Sequence, residues 1–141
     1  MNEPSPAPRP VAGNGVREIP LQLLPELVDA AQRAGLRVAR LALDGTADKA
    51  TLLALFAAAM EFPPGLGGNW DALADALGDL SWLDAGGHVL VLDGLAGLRR
   101  AAPQDLATVQ AILAEVATAW AGLGVPFQVF TCDQALPLSA D

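Results

Sequence analysis

The chain has 141 residues, room for one ordinary domain, and with 52% hydrophobic against 17% charged residues it can bury a core and is not a disordered tail. Its 8 basic and 16 acidic side chains give a net charge of −8, which argues against nucleic acid or an anionic membrane as a direct partner. One cysteine (Cys132), one histidine and no tyrosine exclude an internal disulfide and a cysteine-built zinc cluster, and leave few groups for acid–base catalysis.

No apolar run approaches the ~18 residues of a membrane-spanning helix, and the N-terminal MNEPSPAPRP lacks the apolar middle of a secretory signal. The composition predicts a cytoplasmic domain suited to a cationic partner. Residues 1–15 hold Pro4, Pro6, Pro8, Pro10, Gly13 and Gly15 and read as a flexible tail, with order beginning near Val16. Pro25 suits the first turn of a short helix that turns Leu27, Val28 and Ala31 inward and stops at Gly35. Residues 36–43 (LRVARLAL) predict a strand with both faces partly covered, because Arg37 and Arg40 do not alternate with the apolar positions. Asp44-Gly45 turns the chain, and Thr46 or Asp48 can cap a helix carrying Leu52, Leu53, Phe56 and Met60, which must stop before Pro63-Pro64.

After the loop PPGLGG, Asn69 is a good cap for a helix over 70–77 that ends near Gly78. GHVLVLD (87–93) is a buried strand, Pro103 opens the longest helix, and FQVFT (127–131) is the last strand. Strands alternating with helices predict an α/β fold with a small three-stranded parallel sheet and right-handed crossovers.

The segment 62–82 is the distinctive one. At 100° per residue, Trp70, Leu73, Ala76, Leu77 and Leu80 fall on one side of its helix, while Asp71, Asp75 and Asp79 line the other. Carboxylates four apart repel by a few tenths of a kcal/mol per pair. From Ala50 to Leu98 there is no Lys or Arg, yet Glu61, Asp71, Asp75, Asp79, Asp84 and Asp93 all fall there. Such a face is either an ordinary solvated surface or an anionic surface preset for a cationic site. Magnesium binding or carboxylate catalysis is disfavoured, since no histidine or further acid gathers beside the aspartates in sequence. The glycine loop matches neither G-x-G-x-x-G nor a P-loop, lacks a lysine, and feeds into acids that repel phosphate.

Other residues invite simpler readings. His88 is expected to be a satisfied structural histidine, Cys132 inert packing, the three tryptophans core or core-edge anchors, and Arg99-Arg100 part of a solvated loop.

The stretch 64–77, with Gly67, Asn69, Asp71, Ala72, Leu73, Asp75 and Leu77, resembles the inhibitory loop and helix of the barstar family of intracellular ribonuclease inhibitors. The order of elements over about 36–131 is similar too, leaving 16–35 as an N-terminal extension of a single domain spanning 16–141. The resemblance implies a protein without catalysis of its own that plugs the active site of a basic, barnase-like ribonuclease or a related nuclease toxin; a monomer without cofactor or metal is expected. It implies that Asp75 takes the place of a substrate phosphate, beside Asp71, with Asn69 and Gly67 contributing from the helix start and the loop. Gly65 and Leu66 stand where the family has loop aromatics, Ala74 where it has an aromatic between the aspartates, and Asp79 lies a turn further, toward the rim. Near the end of the long helix, Ala119 occupies about the place of a family acid, with Glu115 a turn earlier. A second reading on the same fold is an adaptor that binds a protein other than a nuclease.

Overall fold

The structure, a computed structural model, describes residues 13–137. Four strands, β1 (Gly15–Glu18), β2 (Arg37–Ala42), β3 (His88–Asp93) and β4 (Phe127–Cys132), form one parallel sheet in the order β1-β4-β3-β2. The expected sheet of three strands is therefore corrected to four. The added strand, GVRE, has a single large apolar residue, Val16, and no sequence periodicity to announce it. Its pairing with β4 and the packing of Val16 on the core are what order it.

The tail reading does not extend to residues 13–15. The Asn14 side-chain amide donates to the carbonyls of Ala117 and Val125, and Gly15 opens β1. Residues 1–12 lie outside the described residues.

Helices α1 (Leu24–Arg33), α2 (Lys49–Ala59), α3 (Trp70–Leu77), α4 (Ala96–Ala101) and α5 (Pro103–Gly122) divide unequally between the two faces. The chain steps β2→β3→β4 in one direction across the sheet, whereas β1→β2 returns from one edge to the other. Right-handed crossovers in opposite directions require helices on opposite faces. Accordingly α1 packs Leu24 and Ala31 against Val89, Val91, Phe130 and Cys132. On the other face, residues of α2, α3, α4 and α5 surround Ala39, Leu41, Leu90, Leu92, Phe127 and Val129. All six residues of β3 are buried, as a central parallel strand requires. Among the described residues no helix is long and apolar enough to cross a membrane.

Caps fix the helix ends. Asp48, one of the two candidates, caps α2 by accepting from the Thr51 N–H at 2.8 Å, and that bond holds its carboxyl below the usual range. Gly35 and Gly124, at φ +83° and +74°, close α1 and α5, with Leu36 N–H bonding back to Ala31 O and Val125 N–H to Trp120 O. Arg99 and Arg100 lie on α4 rather than in a loop, and Arg99 pairs with Asp133 at 2.8 Å.

His88 is not the satisfied histidine expected from sequence. It is 3% exposed, and its Nδ1 is buried without a hydrogen-bond partner among the described residues. Burial, reinforced by the positive charge of Arg37, holds its pKa below the ordinary value. The folded state thus resists a proton that the unfolded chain accepts near pH 6.5. Stability should fall as pH drops through that value and be recovered above it. A denaturant midpoint that declines from pH 7.5 to 5.5, and declines less in His88→Phe, is the expected result.

Candidate functional site

A helix closure, one proline-directed turn and an N-cap build the acidic segment. Helix α2 ends at Ala59 with Met60 as its C-cap, and Glu61 then takes a left-handed conformation, φ +55°, at a position usually given to glycine. Glu61 N–H bonds to Ala58 O and Phe62 N–H to Ala57 O, so the helix closes with the two bonds of a Schellman motif. Arg37, at the start of β2, bonds the Glu61 carboxylate at 2.8 Å and the Ala59 carbonyl at 3.1 Å.

Next comes a turn over Pro63-Pro64-Gly65-Leu66, closed by Leu66 N–H to Pro63 O at 3.1 Å. Proline at its second position and φ +87° at Gly65, its third, meet the needs of a type II turn. Leu66, which closes the turn, is 40% exposed. Gly67 follows at φ +80°, buried, and a Cβ there would lie 2.5 Å from two carbons of the Phe62 ring. Asn69 caps α3, its side-chain oxygen accepting from Ala72 N–H at 2.8 Å.

Within α3, Leu73, Ala76 and Leu77 are buried, Trp70 and Ala74 are half-buried, and Asp71 and Asp75 are exposed. The structure places Asp79 differently from the helical projection. The helix ends at Leu77, Gly78 caps it, and Leu80 adopts φ +48° while its side chain is buried. Asp79 is exposed in that turn, so the three aspartates are not one continuous helical ladder. Asp71 lies in the first turn, where the helix dipole favours a carboxylate. Asp75 lies in the last turn of an eight-residue helix, where it opposes one. Their α-carbons are one turn apart, about 6 Å along the axis.

The charge account also changes in three dimensions. Glu61 is paired with Arg37, and the fully buried Asp93 takes two bonds, 2.8 and 2.9 Å, from Arg40. Both cations come from β2, outside the window that sequence treated as uncompensated. Asp71, Asp75, Asp79 and Asp84 remain, and no ion pair among the described residues involves them. The Lys49 ammonium lies 5.0 Å from the Trp70 ring centroid, over the aromatic face. No group of three or more His, Cys, Asp and Glu side chains among the described residues is arranged to hold a metal ion.

Sequence reasoning missed the residues that carry this segment. Trp82 N–H bonds Met60 O, and Trp120 N–H bonds Leu77 O, both at 2.9 Å. One indole thus holds the entry to the loop and another holds an otherwise unpaired carbonyl at the end of α3. The three tryptophans are core-edge residues, all half-buried. Expecting them to pack was correct, but an N–H partner 22 or 43 residues away leaves no mark in local sequence.

Residues 36–132 match the family described as Barstar (barnase inhibitor), more than two-thirds of the chain. The chain belongs to the barstar family. A search of curated proteins returns no match. Among solved structures, the Aeropyrum pernix ORC2 protein (ADPNP-ADP complexes) aligns with a TM-score of 0.53 at 16% identity, over 86% of this chain. The barstar-family chain spans only 35% of that protein's length, and the likeness concerns the fold alone.

Proposed function

We propose that this barstar-family chain is a cytoplasmic inhibitor of a cationic, barnase-like ribonuclease, or an immunity protein to a related nuclease toxin, and acts by occupancy without chemistry of its own. The observation that carries the proposal is Asp75, an exposed carboxylate in the last turn of a short helix, one turn from Asp71 and without an ion pair among the described residues. Its own fold gains nothing from that charge, whereas a partner with clustered cations would. Asp71 and Asp75 supply the anionic contacts, Asn69 and Gly67 shape the approach, Gly65, Leu66 and Ala74 form the surrounding surface, and Asp79 lies at the rim.

Location supports this reading. Arg37 and His88, the first residues of β2 and β3, lie beside Glu61 and Trp120, so the loop leaves at the amino ends of the strands. Small ligands of open parallel sheets bind at the carboxyl ends. The acidic segment therefore lies at the end of the sheet opposite the usual ligand crevice. Titrating barnase with the purified protein tests the proposal: ribonuclease activity should fall in proportion to added protein and level off near one equivalent. Full activity at a large excess would exclude barnase itself, and the same outcome across a panel of basic ribonucleases would overturn the proposal.

A further inference from the structure

An anionic segment binds well only if it already holds the bound shape, because each ordering step on association subtracts from affinity. In this chain the side chains that set the shape lie outside the acidic helix. Phe62 stands against Gly67 so closely that a methyl group there would overlap its ring. Trp82 meets Phe62 edge-on, with centroids 5.8 Å apart and planes at 88°, while its N–H anchors Met60 O. Glu61, between these anchors, has the left-handed backbone that aims Phe62 under the loop.

We infer that Phe62 and Trp82 are positioning residues: Trp82 holds the Phe62 ring, and the ring sets the path of 65–68 so that Asp71 and Asp75 are presented already oriented. The inference rests on reading the acidic segment as a partner-binding surface. A purely structural role would make these aromatics mere margin of the core, and the two roles differ in a measurable way. If the loop is held open to binding by Phe62, shortening that side chain lowers the fraction of competent molecules. Association then slows in proportion while dissociation of the formed complex is little changed.

The test compares Phe62→Leu with Phe62→Tyr, which keeps the ring, in stopped-flow association with barnase and in amide exchange of the free protein. Phe62→Leu should associate about five-fold more slowly, dissociate at the original rate, and exchange the Leu66 amide faster. Phe62→Tyr should resemble the parent in all three. An unchanged association rate together with unchanged Leu66 exchange in Phe62→Leu would overturn the inference. If the parent does not bind barnase, that result counts against barnase as the target, and Leu66 exchange alone decides the positioning role: faster exchange supports it, unchanged exchange rejects it.

Discussion

Replacing Asp75 by alanine is expected to weaken binding to a cationic ribonuclease by at least about 2 kcal/mol, roughly thirty-fold in Kd, mostly as faster dissociation. That size lies within the range known for close charge pairs of the barnase–barstar complex itself and is carried over to this chain as an expectation. The loss arises because cations desolvated at the interface would be left without a counter-charge. Folding should respond in the opposite sense. Asp75 opposes the dipole at the end of α3, repels Asp71, and takes part in no ion pair among the described residues, so its removal should leave stability unchanged or raise it by a few tenths of a kcal/mol. Calorimetric binding and thermal melts on the same preparation check both halves. A residue that stabilises the fold while contributing nothing to binding would show the reverse pattern.

The largest stability effect should come from the opposite end of the sheet. Asp93 is fully buried and is held by two bonds from Arg40 and by the Leu136 N–H at 2.7 Å. Arg40 also bonds the Leu136 carbonyl, so the pair fastens the segment after β4 across the α1 face. Asp93 in turn holds the guanidinium pKa above its ordinary value. Arg40→Ala would leave a buried carboxylate with a single backbone donor. It should cost about 3 kcal/mol, lowering Tm by roughly 10 °C. Arg33→Ala, which removes an exposed pair with Asp29, should change stability by under ~0.5 kcal/mol. Neither substitution should alter ribonuclease binding. Equal Tm shifts in the two variants would contradict the difference between a pair built on a buried carboxylate and a fully exposed one.

Helix α3 was legible almost to the residue, because Asn69, the 3–4 spacing of Leu73, Ala76 and Leu77, and Gly78 all act within one or two turns of chain. Strands β2, β3 and β4 were legible for the related reason that short segments rich in apolar residues are bounded by turn signals, even where Arg37 and Arg40 interrupt β2. Strand β1 was not: its four residues are ordered by pairing with a strand more than a hundred positions away. Asp79 was misplaced because an extrapolated helical wheel does not register that Leu80 leaves the helix to bury its side chain. Pairing of Glu61 and Asp93 with β2 arginines was equally invisible to a window of sequence. That correction strengthens the functional reading. It removes two acids with structural partners and leaves Asp71, Asp75 and Asp79, together with Asp84, as the acids of 50–98 without an ion pair among the described residues.

If Asp75 fills a cationic pocket while its neighbours matter less, Kd values for the parent, Asp71→Ala, Asp75→Ala and Asp79→Ala should separate. They are measured against barnase or another basic ribonuclease that the protein inhibits, each at two salt concentrations. The largest loss is expected at Asp75, retained at high salt. At Asp79, outside the helix, the expected loss is under ~1 kcal/mol and acts through salt-dependent association. Small and equal losses at all three positions, disappearing together in salt, would mean a merely solvated acidic face and no pocket for Asp75.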